Sequence, residues 1–167
     1  SEMIEVTEMH GNLVAAEAYV EHRRIIQRDR KKIDRRVIHR IEGGACMSGH
    51  DVILIQRRRA ELSAKLRMQL GGAILMMPTT PNVAPPIAEL DADDALFHEV
   101  NRRSLRNVSL GNMLSLCGVA MPNGHDKNGL PTSILFSAPG GHDERLLGLC
   151  MIVESVLKRA LSAKTGH

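Results

Sequence analysis

The sequence predicts an α/β fold in which helices cover a mixed sheet, and three observations carry that prediction. Long stretches with apolar residues at three- and four-residue spacing alternate with short apolar runs bounded by Gly and Pro. Their order is helix, helix, helix, strand, helix, strand, strand, helix, which is a layered α/β or α+β pattern. At 167 residues, 43% hydrophobic and 25% charged, the chain has the size and composition of one domain with a real core. It divides into a helical part, 1–72, and a strand-containing core, 73–167.

From Asn12 to Arg30, Leu13, Val14, Ala16, Tyr19, Val20, Ile25 and Ile26 recur on one face between charged residues, the mark of an amphipathic helix. Ile33, Val37, Ile38 and Ile41 continue the period until Gly43-Gly44, read as a stop because glycine tolerates the left-handed conformation that ends helices. Ser48 or Asp51 is placed to cap a long helix with the stripe Val52, Ile55, Leu62, Leu66 and Leu70, closed by Gly71-Gly72. Ala73 to Met77 is a continuous apolar run before Pro78, as expected of a central strand buried on both faces. Thr79 to Asp94, with Pro81, Pro85 and Pro86, reads as an extended loop. Helix returns over Leu96 to Leu116. Val119–Pro122 and Thr132–Phe136 are strand candidates, joined as a hairpin or lying as neighbours. Asp143 caps a last helix whose face holds Leu146, Leu147, Cys150, Val153, Leu157 and Ala160, ending near Lys164 and Gly166.

Composition narrows the function classes. With no Trp, one Tyr and two Phe, the core rests on aliphatic residues and nine Met. Cys46, Cys117 and Cys150 are odd in number and far apart, so they read as buried free thiols in a reducing cytoplasm. No run is long and apolar enough to span a membrane, and the acidic, polar first residues carry no secretory pattern, so a cytoplasmic protein is expected. The basic stretch Arg23, Arg24, Arg28, Arg30, Lys31, Lys32, Arg35, Arg36 and Arg40 raises a nucleic-acid reading. No aromatic residue interleaves to stack bases, and Glu17, Glu21, Asp29 and Asp34 break the field, which favours a solvated helix face.

Several motifs carry a resemblance. An Arg-rich helix, Gln56-Arg57-Arg58-Arg59, leads to a strand ending Met77-Pro78-Thr79-Thr80-Pro81, then Ala84-Pro85-Pro86-Ile87. Farther on come Arg106-Asn107-Val108-Ser109-Leu110-Gly111-Asn112, Gly118-Val119-Ala120-Met121-Pro122-Asn123-Gly124, and Asn128-Gly129-Leu130-Pro131-Thr132-Ser133-Ile134-Leu135-Phe136. Upstream, Gly11 to Ala18 and Arg36 to Ile41 fit as well. In order and spacing these resemble the C-terminal part of the amidase-signature hydrolases, a family that cleaves carboxamides and includes the glutaminase subunit of tRNA-dependent amidotransferases. The chain departs from the pattern at Cys117-Gly118-Val119, where the family more often has proline after the glycine.

The resemblance implies a partial amidase-signature fold and a parent enzyme that needs no cofactor. That enzyme would cleave a small-molecule amide with a Ser–Ser–Lys triad, one serine attacking the carbonyl while the lysine and second serine shuttle protons. No serine of this chain sits in the glycine- and serine-rich segment that carries such a triad, so the 167 residues are expected to be a C-terminal portion, inactive alone. They would associate with the missing N-terminal part, or with another copy, through exposed apolar surface.

Candidate substrate-binding residues follow from position. Thr79 and Thr80 open the loop at the carboxyl end of a strand, where ligands bind in open α/β sheets; the alternative is a rigid connection. Arg106, Asn107 and Asn112 could orient a substrate carbonyl or carboxylate, or could satisfy nearby backbone. Gly-His-Asp recurs at Gly49-His50-Asp51, Gly124-His125-Asp126 and Gly141-His142-Asp143; Asp51 and Asp143 read as helix caps and no metal site is expected. The competing function class is a non-enzymatic interaction module, associated with nucleic acid through the basic helix 23–40.

Overall fold

A computed structural model describes residues 12–165, with side chains through Arg159. Gly11, the first residue of the upstream motif, and Gly166 lie outside the described residues, as does the side chain of Ala160. The chain forms two compact units, 1–62 and 63–167. The predicted chain order is observed, with one further short helix.

The first unit is helical. Helix α1, Leu13–Asp29, begins where the Asn12 side chain accepts from the Val14 amide at 2.9 Å, and it buries Ile26. A single 3₁₀ turn, Arg30–Lys32, breaks the period. Helix α2, Arg35–Glu42, is capped by Asp34, which accepts from the Arg36 amide at 2.8 Å, and buries Ile38. Gly43 and Gly44 do not end α2 in a left-handed conformation, since Gly43 has φ −55° and opens a second 3₁₀ turn, Gly43–Cys46. Gly44 is required for another reason: a Cβ there would lie 2.1 Å from the Ala15 carbonyl oxygen of α1. The backbones approach so closely that any side chain would collide.

Helix α3, Gly49–Leu70, starts in the first unit and ends in the second, burying Ile55 and Leu62. Ser48 and Asp51 cap it together. The Ser48 hydroxyl accepts from the Asp51 amide, and the Asp51 carboxylate accepts from the Ser48 amide, both at 3.1 Å, so each residue satisfies an orphan donor of the first turn. Gly71 and Gly72 then take φ of +53° and +90°, the left-handed stop the sequence predicts.

In the second unit three antiparallel strands form one sheet in the order β1-β3-β2. Strand β1 is Leu75–Pro78, β2 is Leu116–His125 and β3 is Pro131–Pro139. Strands β2 and β3 are a hairpin pairing Leu116 with Pro139 and Val119 with Phe136, with a register shift between Pro122 and Gly124. The Asp126 carboxylate closes the turn by accepting from the amides of Asn128 and Leu130. The central strand is therefore β3, whose residues 136–139 are all buried, and not β1. Strand β1 is a four-residue edge, with Met76 63% exposed. Its unbroken apolar run does not distinguish a strand between two neighbours from an edge strand beside one.

The loop after β1 contains a short helix, α4, Ile87–Ala92, absent from the sequence reading. Pro86 sits at its N-cap position, where a missing N–H costs nothing. Asp93 caps helix α5, Asp94–Leu114, accepting from the Ala95 and Leu96 amides, and Ser115 ends it in a left-handed conformation. Helix α6, Asp143–Thr165, packs on β2 and β3. Asp143 is its first helical residue and not its cap.

Leu146, Cys150, Val153 and Leu157 of α6 meet Met121 of β2 and Phe136 and Ala138 of β3 in the core. Leu147 points outward, 54% exposed, because a one-residue step turns it about 100° from Leu146. The thiols differ from expectation too: Cys150 is buried, Cys117 partly so, and Cys46 exposed. Burial pushes the Cys150 thiol pKa up by penalising the thiolate.

Candidate functional site at the carboxyl end of the first strand

The loop that leaves β1 is held by three polar ties. Thr79 extends the β1–β3 pairing, its amide donating to the Ser133 carbonyl at 3.1 Å, while the Ser133 hydroxyl donates to Thr79 Oγ1 at 2.8 Å. One step earlier in the chain, Asn107 of α5 donates its side-chain amide to the Pro78 carbonyl at 2.7 Å. One turn before Asn107, Ser104 shares hydrogen bonds of 3.0 and 3.2 Å with the Asn82 side chain. Thr80 donates to the Asn82 carbonyl at 2.7 Å, folding the loop on itself.

The local sequence explains this arrangement. Pro78 and Pro81 have no N–H to donate, so the ladder is interrupted at Pro78, resumes only at the Thr79 amide, and leaves loop carbonyls that need side-chain donors. Ser104 and Asn107 are three residues apart on α5 and so face the same side, about one helical turn from each other.

Thr79, Thr80 and Asn107 of the predicted residues thus converge on the end of β1, where Thr79 bonds to Ser133 of β3, Asn107 to the last carbonyl of β1 and Thr80 within the loop. Arg106 and Asn112 do not join them. Asn112 lies about 140° around the α5 axis from Asn107, is exposed, and lends its carbonyl to the Ser115 amide that closes the helix. Arg106 is exposed. The sequence reading missed Asn82, Ser104 and Ser133. The i, i+3 spacing of Ser104 and Asn107 was a usable signal, whereas the Thr79–Ser133 tie joins residues 54 apart.

A second feature lies between β2 and α6. There a largely apolar concavity of about 340 Å³ is bounded by Val119, Ala120, Met121 and Pro122 on the strand and by Leu147 and Met151 on the helix. Glu154 and Lys158, ion-paired at 2.9 Å, stand at its rim.

The other candidates resolve differently. Among the described residues no three His, Cys, Asp or Glu side chains gather as metal ligands. Within the basic stretch from Arg23 to Arg40, Arg28 and Lys32 are ion-paired with Asp29, Arg30 with Glu42, and Arg36 with Asp34, all acids of the same unit. The Lys32 and Arg28 partners hold the Asp29 carboxyl below its usual range, Arg36 does so for Asp34, and Arg30 for Glu42. Among the described residues no helix is long and apolar enough to cross a membrane.

Comparison with solved structures places the fold. An allophanate hydrolase from Kluyveromyces lactis superposes with a TM-score of 0.73 at 24% identity, over 89% of this chain and 24% of that one. An amidase gives 0.66 at 20% identity, over 88% and 34%. A 6-aminohexanoate cyclic dimer hydrolase gives 0.66 at 16%, over 88% and 33%. The fold is therefore part of an amidase-type α/β fold, and the resemblance to amidase-signature hydrolases read from the sequence is borne out at the level of the fold. In sequence, a 2-amino-5-chloromuconic acid deaminase of Comamonas testosteroni is 26% identical over 84 residues, half of this chain and 18% of the relative. No protein-family profile matches. The chain spans between about a fifth and a third of the length of these proteins.

Proposed function

We propose that the 167 residues are one portion of an amide hydrolase that attacks a carboxamide with a serine nucleophile, through the Ser–Ser–Lys arrangement, and releases ammonia or an amine. The observation that carries this is the fold match across nearly nine-tenths of the chain to three hydrolases of amide-type bonds. In this reading the nucleophile and its proton shuttle lie outside the 167 residues. The chain supplies scaffold and, with the 79–86 loop, one wall of the substrate pocket. Such a wall must be stiff, because orienting a carbonyl for attack loses its benefit when the reacting geometry drifts by an ångström. The ties from Asn107, Ser104 and Ser133 supply that stiffness.

The test is ammonia release from a panel of primary carboxamides, comparing the 167-residue chain with the protein expressed together with its flanking coding sequence. The chain alone should give no release above buffer, because no covalent route remains without the nucleophile. The longer protein should turn over at least one amide and lose that activity to a serine-directed acylating reagent. Turnover by the short chain, or a longer protein indifferent to the reagent, overturns the mechanism.

A further inference from the structure

The β2–β3 hairpin holds two Asn-Gly steps, Asn123-Gly124 and Asn128-Gly129, while every other asparagine of the chain is followed by a residue that carries a side chain. An asparagine before glycine is open to attack by its own main chain, because glycine has no Cβ to keep the following nitrogen away. The fold treats the two steps differently. Asn123 lies in β2, its Oδ1 accepting from the Thr132 hydroxyl at 2.8 Å across the hairpin, and half-buried Gly124 pairs in register with Thr132. Asn128 lies exposed in the turn, held by its main-chain amide, and its side chain makes no hydrogen bond among the described residues. Around exposed Gly129 no heavy atom beyond its chain neighbours comes within 4 Å of where a Cβ would stand. Its φ of +79° and its amide bond to the Asp126 carbonyl at 3.1 Å belong to the turn, so the turn itself requires glycine after Asn128.

We propose that Asn128 is a site of spontaneous deamidation, made labile by the turn, and that the strand pairing protects Asn123. When the bond to the Asp126 carbonyl opens and hydroxide takes the Gly129 amide proton, that nitrogen attacks Asn128 Cγ. The N–Cγ bond forms, the Cγ–Nδ2 bond breaks, and Nδ2 leaves as ammonia with a proton from water, closing a cyclic imide. Water then opens the imide at Cγ to give aspartate, or at the main-chain carbonyl to give isoaspartate, in which the chain runs through the side-chain carbonyl.

Either product places a new carboxylate beside a turn that already depends on one, since Asp126 accepts from the Asn128 and Leu130 amides. The like charge, and the extra main-chain carbon of isoaspartate, both work against that turn. The ammonia released here needs no carboxamide and ends at a single molecule per chain. A blank without substrate therefore separates it from turnover.

The test is incubation of the 167-residue chain at mildly alkaline pH, with peptide mass spectrometry following the conversion of each asparagine to an acid and fragment ions identifying isoaspartate. In buffer Asn128 should convert about tenfold or more faster than Asn123, because an exposed turn opens more readily than a paired strand. In guanidinium chloride the two rates should converge, since both are then the same dipeptide in an unfolded chain. Conversion at Asn123 as fast as at Asn128 in buffer overturns the proposal, as does a folded chain in which neither converts while the denatured chain loses both. A gap no smaller in denaturant than in buffer overturns it too, because the neighbouring residues and not the fold would then set the rates.

Discussion

At the scale of single residues, close approach matters more than chemical type. Gly44 is buried and a Cβ would sit 2.1 Å from a main-chain oxygen, an atom that cannot swing away as a side-chain end could. Gly44→Ala should therefore destabilise by about 2 kcal/mol or more, read as a lower urea midpoint with an unchanged m-value. Asn107→Ala leaves the Pro78 carbonyl short of its donor and should cost about 1 kcal/mol. In the longer protein the same change should lower kcat more than it alters KM, because it loosens a wall and removes no contact that binds substrate. Asp34 and Glu42, their carboxyl pKa values held down by Arg36 and Arg30, make the acid side of the stability profile predictable in sign. A depressed folded-state pKa contributes stability above the ordinary carboxylate range near pH 4, and that contribution fades as pH falls through and below it. The double variant Asp34→Asn, Glu42→Gln should show a thermal midpoint that falls less between pH 6 and pH 3 than that of the parent chain.

At the scale of elements, the helix boundaries were legible where a side chain satisfies orphan amides. Asn12 and the Ser48–Asp51 pair stand where the pattern starts a helix, whereas Asp34 caps α2 inside a stretch where the apolar period continues without a start signal. Asp93 does the same for α5 but fell inside a stretch read as loop, because three prolines dominate it. Asp93→Ala should destabilise by about 1 kcal/mol, with the loss of helicity confined to the first turn of α5 in amide exchange. The stripe on α6 was read one residue too wide. Leu146 and Leu147 are equally apolar in sequence, and only the register of the helix on the sheet buries the first and exposes the second. Leu146→Ala should cost about 2–5 kcal/mol, whereas Leu147→Ala in the short chain should stay within about 0.5 kcal/mol, both measured by denaturant unfolding.

At the scale of the whole chain, two compact units share the helix α3, and the sheet of the second is open at both edges among the described residues. The strand count and the terminal helix followed from pattern, which left a hairpin and a neighbouring pair both open for β2 and β3. The rank of the strands did not. An apolar run such as Ala73 to Met77 reports that a strand is covered, and says nothing of how many neighbours it has. Similarly the loop at the end of β1 was identifiable as a candidate site from its prolines and threonines, yet the partners that hold it, Ser104 and Ser133, come from elements 22 and 54 residues away.

The sequence by itself determined the long helices and the three strands, though not the short helix α4, where several helices start and stop, and the motifs that point to an amidase-type fold, because periodicity, capping and turn chemistry act over a few residues. Only the tertiary structure decided that β3 is the central strand, that Gly44 answers a contact with α1 and not a turn, that Arg106 and Asn112 stand apart from Asn107, and that an apolar edge lies beside α6. These depend on which distant segments come within van der Waals and hydrogen-bond range, and that is a property of the folded chain as a whole.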